Sequence, residues 1–308
     1  MNSARAASSP LQRLARSWDA EALADEPLGP KTSIRVGGRA ELFVRPRSID
    51  RLLAVLKDAR AQNIPLAVLG GGANSLVGDG GVPGITLKLP ADLLAEEIRL
   101  SSSEGRVTLG AGAAIARLIQ LAKQNGLVGA EFLAGIPGTI GGATAMNAGT
   151  KMGECMSVVE AVEIADAEGI GWIERSQLPY RYRHTAVNGV ATRVRFLLRR
   201  GDLAQSQAQM DADLGYRKRT QPLNQPSFGS VFQNPPGDFA GRLIEAARLK
   251  GYTIGRAQIS ALHANWIVNL GGATAHDVVS LMDLASSRVR DQTGIELRPE
   301  VRRLGIFT

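Results

Sequence analysis

Two stretches of the sequence combine many glycines with no charged side chain. Residues 133–149 read LAGIPGTIGGATAMNAG, and residues 69–77 read LGGGANSLV. Glycine tolerates backbone angles that other residues avoid and leaves peptide N–H groups uncovered, so such loops suit the binding of a phosphorylated cofactor. Either stretch alone could equally be a connection between packed elements. Two of them could close on one ligand from opposite sides.

Three polar residues could act on an anionic ligand, although each has a plainer interpretation. Arg183 lies in the basic string RYRH, where a single arginine is typically a solvated surface charge. Ser230 follows a glycine and is typical of a turn. Glu300 follows a proline in a predicted strand, where it could be exposed or pair with Arg302 or Arg303.

The first glycine stretch resembles the dinucleotide fingerprint only in part. Gly70 and Gly72 follow a predicted strand, but Ser75 stands where the fingerprint requires glycine. The next residues read as a turn and an alternating strand, whereas the fingerprint requires a helix there. We therefore reject a Rossmann interpretation.

The composition is that of an ordinary globular protein with a basic charge balance. Its 308 residues are enough for two or three domains, and no apolar run approaches the roughly 18 residues that span a bilayer. A net charge of +7 with only 5% aromatic residues favours anionic small molecules over nucleic acid. A single Cys155 fits a reducing compartment, and three scattered histidines predict no metal site.

Strands and helices alternate around these residues. Residues 1–20 predict a disordered tip and a short helix from about Leu11, with Leu14 and Trp18 on the same face. Strands are predicted at 41–44, 64–69, 106–110, 158–173 (a hairpin turning at 168–169), 192–199 and 266–268, followed by a final strand. Helices are predicted after Ser48 or Asp50, up to Gly126, at 203–216 and 239–249, and from a Thr274–Asp277 capping box to Gly294. This mixture favours an α+β fold in three sections.

Five motifs occur in order along the chain. They are LGGGANSLV, IPGTIGGATAMNAG, YRYRHT (180–185), SFGSVFQNPPGDFAG (227–241) and LRPEVRRLG (297–305). Taken together, they resemble the UDP-N-acetylenolpyruvoylglucosamine reductase family, flavoenzymes that complete UDP-N-acetylmuramate in bacterial cell-wall synthesis. The resemblance runs from about Thr32 to Gly305. The short segment between Arg183 and Ser230, without an inserted tyrosine loop, is similar to the compact subgroup of that family.

The resemblance implies a two-part FAD-binding domain of the vanillyl-alcohol-oxidase type and a C-terminal α+β substrate-binding domain. The implied boundaries are 1–20 for the tail and short helix, 21–92 and 93–202 for the two FAD-binding subdomains, and 203–308 for the substrate domain. FAD is expected to bind non-covalently, because no histidine lies in the glycine stretches. The implied cofactor-binding residues are Gly70, Gly71, Gly72, Ala73, Asn74, Ser75, Gly135, Ile136, Pro137, Gly138, Gly141, Gly142, Ala143, Asn147 and Gly149.

The resemblance also implies a reaction. NADPH reduces FAD and leaves, and the enolpyruvyl sugar then receives hydride on its methylene carbon. Arg183 matches an arginine that binds the substrate carboxylate and stabilises the negative charge developing beside it. Glu300 matches a carboxyl group near that carboxylate, so burial is expected to raise its pKa and keep it protonated. Ser230 matches the donor of a proton to the carbon next to the carboxylate.

Substrate contacts are implied for five residues, two of which, Lys218 and Arg219, are alternatives for the UDP diphosphate. The others are Tyr182, Asn234 and His263. The implied protein is cytoplasmic, a monomer or weak oligomer, and binds neither nucleic acid nor membrane. Two other functions stay open: a flavin oxidase that passes electrons to oxygen, and a basic nucleic-acid-binding protein without FAD.

Overall fold

The computed structural model describes residues 9–307. The predicted disordered tip falls mostly on residues 1–8, outside this range. The short helix predicted from about Leu11 is confirmed, and Ser9 forms a capping box with Gln12 at its start. Trp18, only 1% exposed, donates its indole N–H to Asp58 at 2.7 Å. This contact fixes the N-terminal segment against the helix Ile49–Ala61.

Seven α-helices lie in residues 9–307, and none of them is long and apolar enough to cross a membrane. The predicted capping box at Thr274 and the left-handed end at Gly294 are both confirmed. The helices are α1 (Pro10–Ala15), α2 (Ile49–Ala61), α3 (Ile115–Gln124), α4 (Ile140–Ala145), α5 (Leu203–Thr220), α6 (Ala240–Ala246) and α7 (Ala275–Thr293).

The first section is a four-stranded mixed sheet with α2 packed on it. The sheet contains β1 (Glu21–Pro27), β2 (Arg39–Arg45), β3 (Leu66–Val68) and β5 (Val82–Leu87), and the chain forms a further strand, β4 (Ser75–Val77), between β3 and β5. The sheet order is β1-β2-β5-β3, and α2 covers it with an apolar face that has helical spacing. The sequence pattern does not predict β1, because this edge strand is mostly exposed and lacks apolar alternation. The strand β4 stands outside this sheet.

The second section is a six-stranded antiparallel sheet. Its strands are β6 (Glu97–Leu100), β7 (Glu104–Gly110), β8 (Leu127–Val128), β11 (Val159–Ala165), β12 (Ile170–Glu174) and β15 (Val190–Arg200). Their order is β12-β11-β15-β7-β6, with β8 beside β15, and the predicted hairpin of β11 and β12 is confirmed. The helices α3 and α4 close one face over a buried apolar cluster. Four further strands form two separate hairpins outside this sheet: β9 (Gly149–Thr150) with β10 (Gly153–Glu154), and β13 (Tyr180–Arg181) with β14 (His184–Thr185).

The third section is a small four-stranded antiparallel sheet packed against α6 and α7. Its strands are β16 (Ser227–Ser230), β17 (Thr253–Ile254), β18 (Ala257–Ile259) and β19 (Trp266–Asn269), in the order β16-β19-β18-β17. The last strand of the chain is β20 (Arg302–Leu304). The last strand leaves this sheet and pairs in parallel with β4, so that Arg302 lies opposite Ser75. The C-terminal residues are thereby brought beside the first glycine stretch.

Candidate active site

A cavity of about 1960 Å³ lies where the three sections meet. Drug-sized ligands occupy pockets of about 300–1,000 Å³, so this cavity has room for more than one large ligand. Its wall includes parts of both glycine stretches together with Arg183, Ser230, Asn234 and Glu300. Residues from all three sections therefore meet at one site.

The two glycine stretches contact each other along one wall of the cavity. A side chain at Gly71 would place its Cβ 2.7 Å from the Gly138 Cα, and one at Gly70 would meet Thr139 Oγ1 at 2.8 Å. Both stretches are expected as loops, but the second contains α4, which Thr139 caps through the Gly142 N–H. The residues that line the cavity are Gly70, Gly71, Gly72, Ala73, Asn74, Ser75, Gly135, Ile136, Pro137, Gly138, Gly141, Gly142, Ala143 and Gly149.

This wall fits a dinucleotide such as FAD. It offers bare backbone without charged side chains, and a Cβ at Gly142 would meet only Thr139 Oγ1 within 4 Å, so a larger side chain there would occupy cavity space. Among the polar residues of the stretches, Asn74 donates its side-chain amide to the Glu300 carbonyl at 3.0 Å. It therefore ties the cofactor wall to the C-terminal segment.

Asn147 departs from its predicted place among the cofactor-binding residues. It is fully buried and does not line the cavity. Its side-chain N–H groups donate to Glu154 Oε2 at 2.8 Å and the Arg181 carbonyl at 3.1 Å, and its Oδ1 accepts from the Met156 N–H at 3.0 Å. With its hydrogen-bonding capacity used inside the protein, Asn147 holds the loop together rather than facing a ligand.

Arg183 lies in the turn between β13 and β14 with a left-handed backbone, φ 57°. Its side chain is 13% exposed, and its Nε lies 3.2 Å from Glu300 Oε1. Its Nη2 donates to the Gly149 carbonyl at 2.9 Å, and Nη1 lies 3.6 Å from Glu154 Oε1. The Tyr182 ring stacks on the guanidinium at 4.6 Å. The cation is thus oriented by the protein and faces the cavity.

Glu300 precedes β20 and projects into the cavity beside Arg183. Burial raises the pKa of Glu300 to about 7, although the Arg183 charge and hydrogen bond act to lower it. The peptide N–H of Glu300 donates to the Val231 carbonyl at 2.8 Å, so its backbone is anchored. The expectation of a raised pKa is confirmed, and at neutral pH the carboxyl group is partly protonated.

Ser230 ends β16 and lines the same cavity. Gly229 before it has φ 81°, and the pairing of β16 with β19 shifts register between Ser227 and Ser230. This irregularity turns the strand end. Because the adjacent Val231 bonds to Glu300, Ser230 and Glu300 lie on adjoining backbone segments. The structure brings together all three predicted catalytic residues, Arg183 among them.

The two basic residues predicted for the diphosphate lie off the cavity wall, and a neighbouring arginine lies on it. Lys218 and Arg219 are exposed and do not line the cavity, whereas Arg217 does. Arg217 donates to the Ala134 carbonyl at 3.2 Å, and burial lowers the pKa of Arg217 from its usual value. Arg217 lies at the wall because α5 continues four residues past its predicted end, so that residue 217 is still helical. It follows the inward-facing Leu214 by three residues, which places both side chains on the same face of the helix. That spacing could have identified Arg217 from the sequence.

Of the other predicted substrate contacts, one lines the cavity and two do not. Asn234 lines the cavity, and its Oδ1 accepts from the Ala240 N–H at 3.1 Å. Tyr182 is 41% exposed and lies behind the cavity wall, against Arg183. His263 does not line the cavity: its Nδ1 accepts from the Asn265 N–H at 3.2 Å, and burial lowers the pKa of His263. His263 therefore stays a prediction as a substrate contact, and the structure places its ring against Trp266 in the C-terminal section.

Other reactive groups lie away from this chemistry. Burial raises the pKa of the Cys155 thiol to about 12, so it stays protonated. Within residues 9–307, no group of three or more His, Cys, Asp or Glu side chains could hold a metal ion.

The sequence analysis missed several cations of the cavity wall, because nothing in their local pattern distinguishes them from surface charges. They are Arg35, Arg60, Lys151 and Arg302.

The fold and this cavity define an FAD-dependent oxidoreductase with an added C-terminal domain. The model of the FAD binding domain family matches residues 40–171, and that of the UDP-N-acetylenolpyruvoylglucosamine reductase C-terminal domain matches residues 221–304. The chain belongs to the UDP-N-acetylenolpyruvoylglucosamine reductase family. The family, enzyme class and fold class expected from the sequence are thereby confirmed.

Similar proteins span nearly the whole chain. A UDP-N-acetylenolpyruvoylglucosamine reductase from Myxococcus xanthus (strain DK1622) is 65% identical over 93% of this chain and 93% of its own length. One from Anaeromyxobacter sp. (strain Fw109-5) is 53% identical over 93% of this chain and 90% of its own length. The crystal structure of the Thermus caldophilus reductase has 35% identity and a TM-score of 0.78, covering 92% of this chain and 98% of that one.

Proposed function

We propose that this protein uses NADPH to reduce the enolpyruvyl group of UDP-N-acetylglucosamine enolpyruvate to UDP-N-acetylmuramate. The observation that carries the proposal is the convergence of Arg183, Ser230 and Glu300, from distant parts of the chain, on the cavity that holds both glycine stretches. We place the reaction in the cytoplasm, catalysed by a monomer or weak oligomer. Residues 21–202 would hold FAD and residues 203–308 the sugar nucleotide.

Different residues of the cavity wall suit the cofactor and the sugar nucleotide. FAD, when bound, would accept hydride from NADPH and pass it to the substrate double bond. The wall of residues 70–75 and 135–143 would hold it through backbone N–H groups, without covalent attachment. The sugar nucleotide carries two phosphates and a carboxylate, and the cations Lys151 and Arg217 at the cavity wall suit the phosphates.

Three side chains would act on the substrate. Arg183 donates to the carboxylate and stabilises the negative charge that develops on the neighbouring carbon as the double bond is reduced. Glu300, when protonated, donates to the same carboxylate without adding a repelling charge. Ser230 supplies the proton that completes the reduced carbon, and water then restores the hydroxyl proton. Tyr182 supports the guanidinium by stacking, and Asn234 contacts the sugar nucleotide from the loop before α6.

An anaerobic titration tests the function. NADPH is expected to bleach the flavin absorbance of the FAD-loaded protein, and the UDP-linked enolpyruvyl sugar is expected to restore it in proportion to the amount added. UDP-N-acetylglucosamine without the enolpyruvyl group serves as the control and should restore nothing. Reduced flavin that the sugar does not reoxidise, and that oxygen admitted afterwards does, would identify a flavin oxidase. A protein that loads no added FAD would support the nucleic-acid-binding alternative.

The protonation of Glu300 predicts a pH dependence. The carboxyl is protonated below its pKa of about 7 and becomes a second anion beside the substrate carboxylate above it. We therefore expect the rate of flavin reoxidation by the sugar to be constant at low pH and to fall about tenfold per pH unit above the pKa. Stopped-flow absorbance at a series of pH values measures this rate.

The variant Glu300→Gln tests the assignment of this pH dependence. It is expected to bind FAD and to lose the decline at high pH, because the amide does not titrate. It is also expected to react more slowly with the sugar, because an amide N–H is a weaker donor to the substrate carboxylate than a carboxylic O–H. Reduction by NADPH in the same variant serves as the internal control. A decline that persists unchanged in Glu300→Gln would assign it to another group, and a variant that unfolds would identify Glu300 as structural.

A further inference from the structure

A second carboxylate contacts Arg183 without lining the cavity. Glu154, the last residue of β10, places Oε1 3.6 Å from Arg183 Nη1, and its Oε2 accepts from Asn147 Nδ2 at 2.8 Å. Its side chain is 32% exposed, and it does not line the cavity. Glu154 therefore acts on the guanidinium without access to the substrate.

Protein acceptors surround most of the guanidinium. Two are carboxylates, Glu154 and Glu300, and two are carbonyl oxygens, of Gly149 at 2.9 Å and Asn147 at 3.5 Å. Of these four acceptors, three come from the segment 147–154. The Arg183 guanidinium thus pairs with both Glu154 and Glu300. The negative charge of Glu154 partly offsets the positive charge that stabilises ionised Glu300.

The plainer interpretation is that Glu154 only holds the β9–β10 hairpin in shape. That hairpin is already fixed by the pairing of Gly149 with Glu154 and by the Cys155 N–H, which donates to the Ala148 carbonyl at 2.8 Å. Asn147 keeps further bonds to the Arg181 carbonyl and the Met156 N–H. The loop therefore has backbone support without the carboxylate, and the charge of Glu154 is directed at Arg183.

We propose that Glu154 is a positioning residue that, together with Asn147, orients the Arg183 guanidinium and divides its charge between two carboxylates. The inference rests on the proposed function. Without the Glu154 charge, Arg183 would pair with Glu300 alone, and Glu300 would ionise at lower pH. The charged group acting on Glu300 is Arg183, with Tyr182 stacked on it; Arg302, two residues further, lines the same cavity.

The test uses the FAD-loaded full chain carrying Glu154→Gln, which keeps the shape and the bond to Asn147 but removes the charge. We expect the high-pH decline in flavin reoxidation by the sugar to move to lower pH by roughly half to one unit. A ¹³C-NMR titration of the Glu300 carboxyl, assigned with Glu300→Gln, is expected to shift in the same direction. Glu154→Asp retains the charge and is expected to restore part of the shift.

The matched control is Glu160→Gln, which removes a carboxylate paired with Arg106 and Arg195 away from the cavity. It should leave the pH profile unchanged. A Glu154→Gln enzyme slowed equally at every pH, with an unmoved Glu300 titration, would overturn the proposal. Because the NMR titration needs no substrate, failure of the sugar to reoxidise the wild-type flavin would count against the proposed function alone.

Discussion

Replacing Ser230 by alanine is expected to slow the reoxidation of reduced flavin by the enolpyruvyl sugar by roughly 10² to 10⁴, the usual contribution of a general acid. Reduction of the flavin by NADPH should stay nearly normal, because that step needs no proton from this hydroxyl. Ser230 lies at the cavity wall on the segment adjoining Glu300, in the position to serve the second step. Stopped-flow absorbance of each half-reaction separates the two rates.

The control for this variant is Ser227→Ala, which removes a hydroxyl from the same strand and the same cavity wall. It is expected to have little effect on either half-reaction. Equal losses in both half-reactions of Ser230→Ala would show that the residue shapes the site and donates no proton. A loss in Ser227→Ala as large as in Ser230→Ala would lead to the same conclusion.

Replacing Arg183 by lysine is expected to slow the sugar half-reaction by about 10² to 10³, comparable to the removal of a preorganised donor from an oxyanion site. The lysine keeps a charge, but an ammonium group cannot reproduce the planar set of N–H groups that now contacts Glu300, Gly149 and Glu154. FAD binding should be retained, since Arg183 lies outside the glycine stretches. Rapid kinetics and flavin absorbance of the purified variant measure both quantities.

Arg181→Lys is the matched control, because Arg181 lies on the same hairpin with an exposed side chain that does not line the cavity. Its substitution should change neither half-reaction appreciably. Similar losses in the two variants would mean that the hairpin tolerates no change, and that the Arg183 result says nothing specific about the guanidinium.

The glycine stretches were identifiable from the sequence because their function depends on backbone. Close approach between Gly71 and Gly138 excludes any Cβ, so the requirement appears directly as residue type. The predicted helix and strand cores were likewise found where apolar spacing is regular, as in α2 and α7. Patterns of this kind are local and do not depend on distant contacts.

The directions in which side chains point were harder to predict from the sequence. Asn147 lies inside a glycine stretch but points into the protein, and His263 packs within its own section. Lys218 and Arg219 do not line the cavity, because α5 continues to Thr220 and a rotation of about 100° per residue turns both side chains away from the face that Arg217 occupies. Glu154 carries no motif at all, and only its distance to Arg183 indicates a role.

The sequence by itself determined the two glycine stretches, the order of the elements and the family, because all three depend on residue types and their spacing along the chain. Only the tertiary structure decided which charges act together. Arg183 and Glu300 are 117 positions apart, and they meet because β20 crosses to pair with β4 while the β13–β14 turn reaches the same wall. The elevated pKa of Glu300 arises there too, because burial is a property of the folded surroundings.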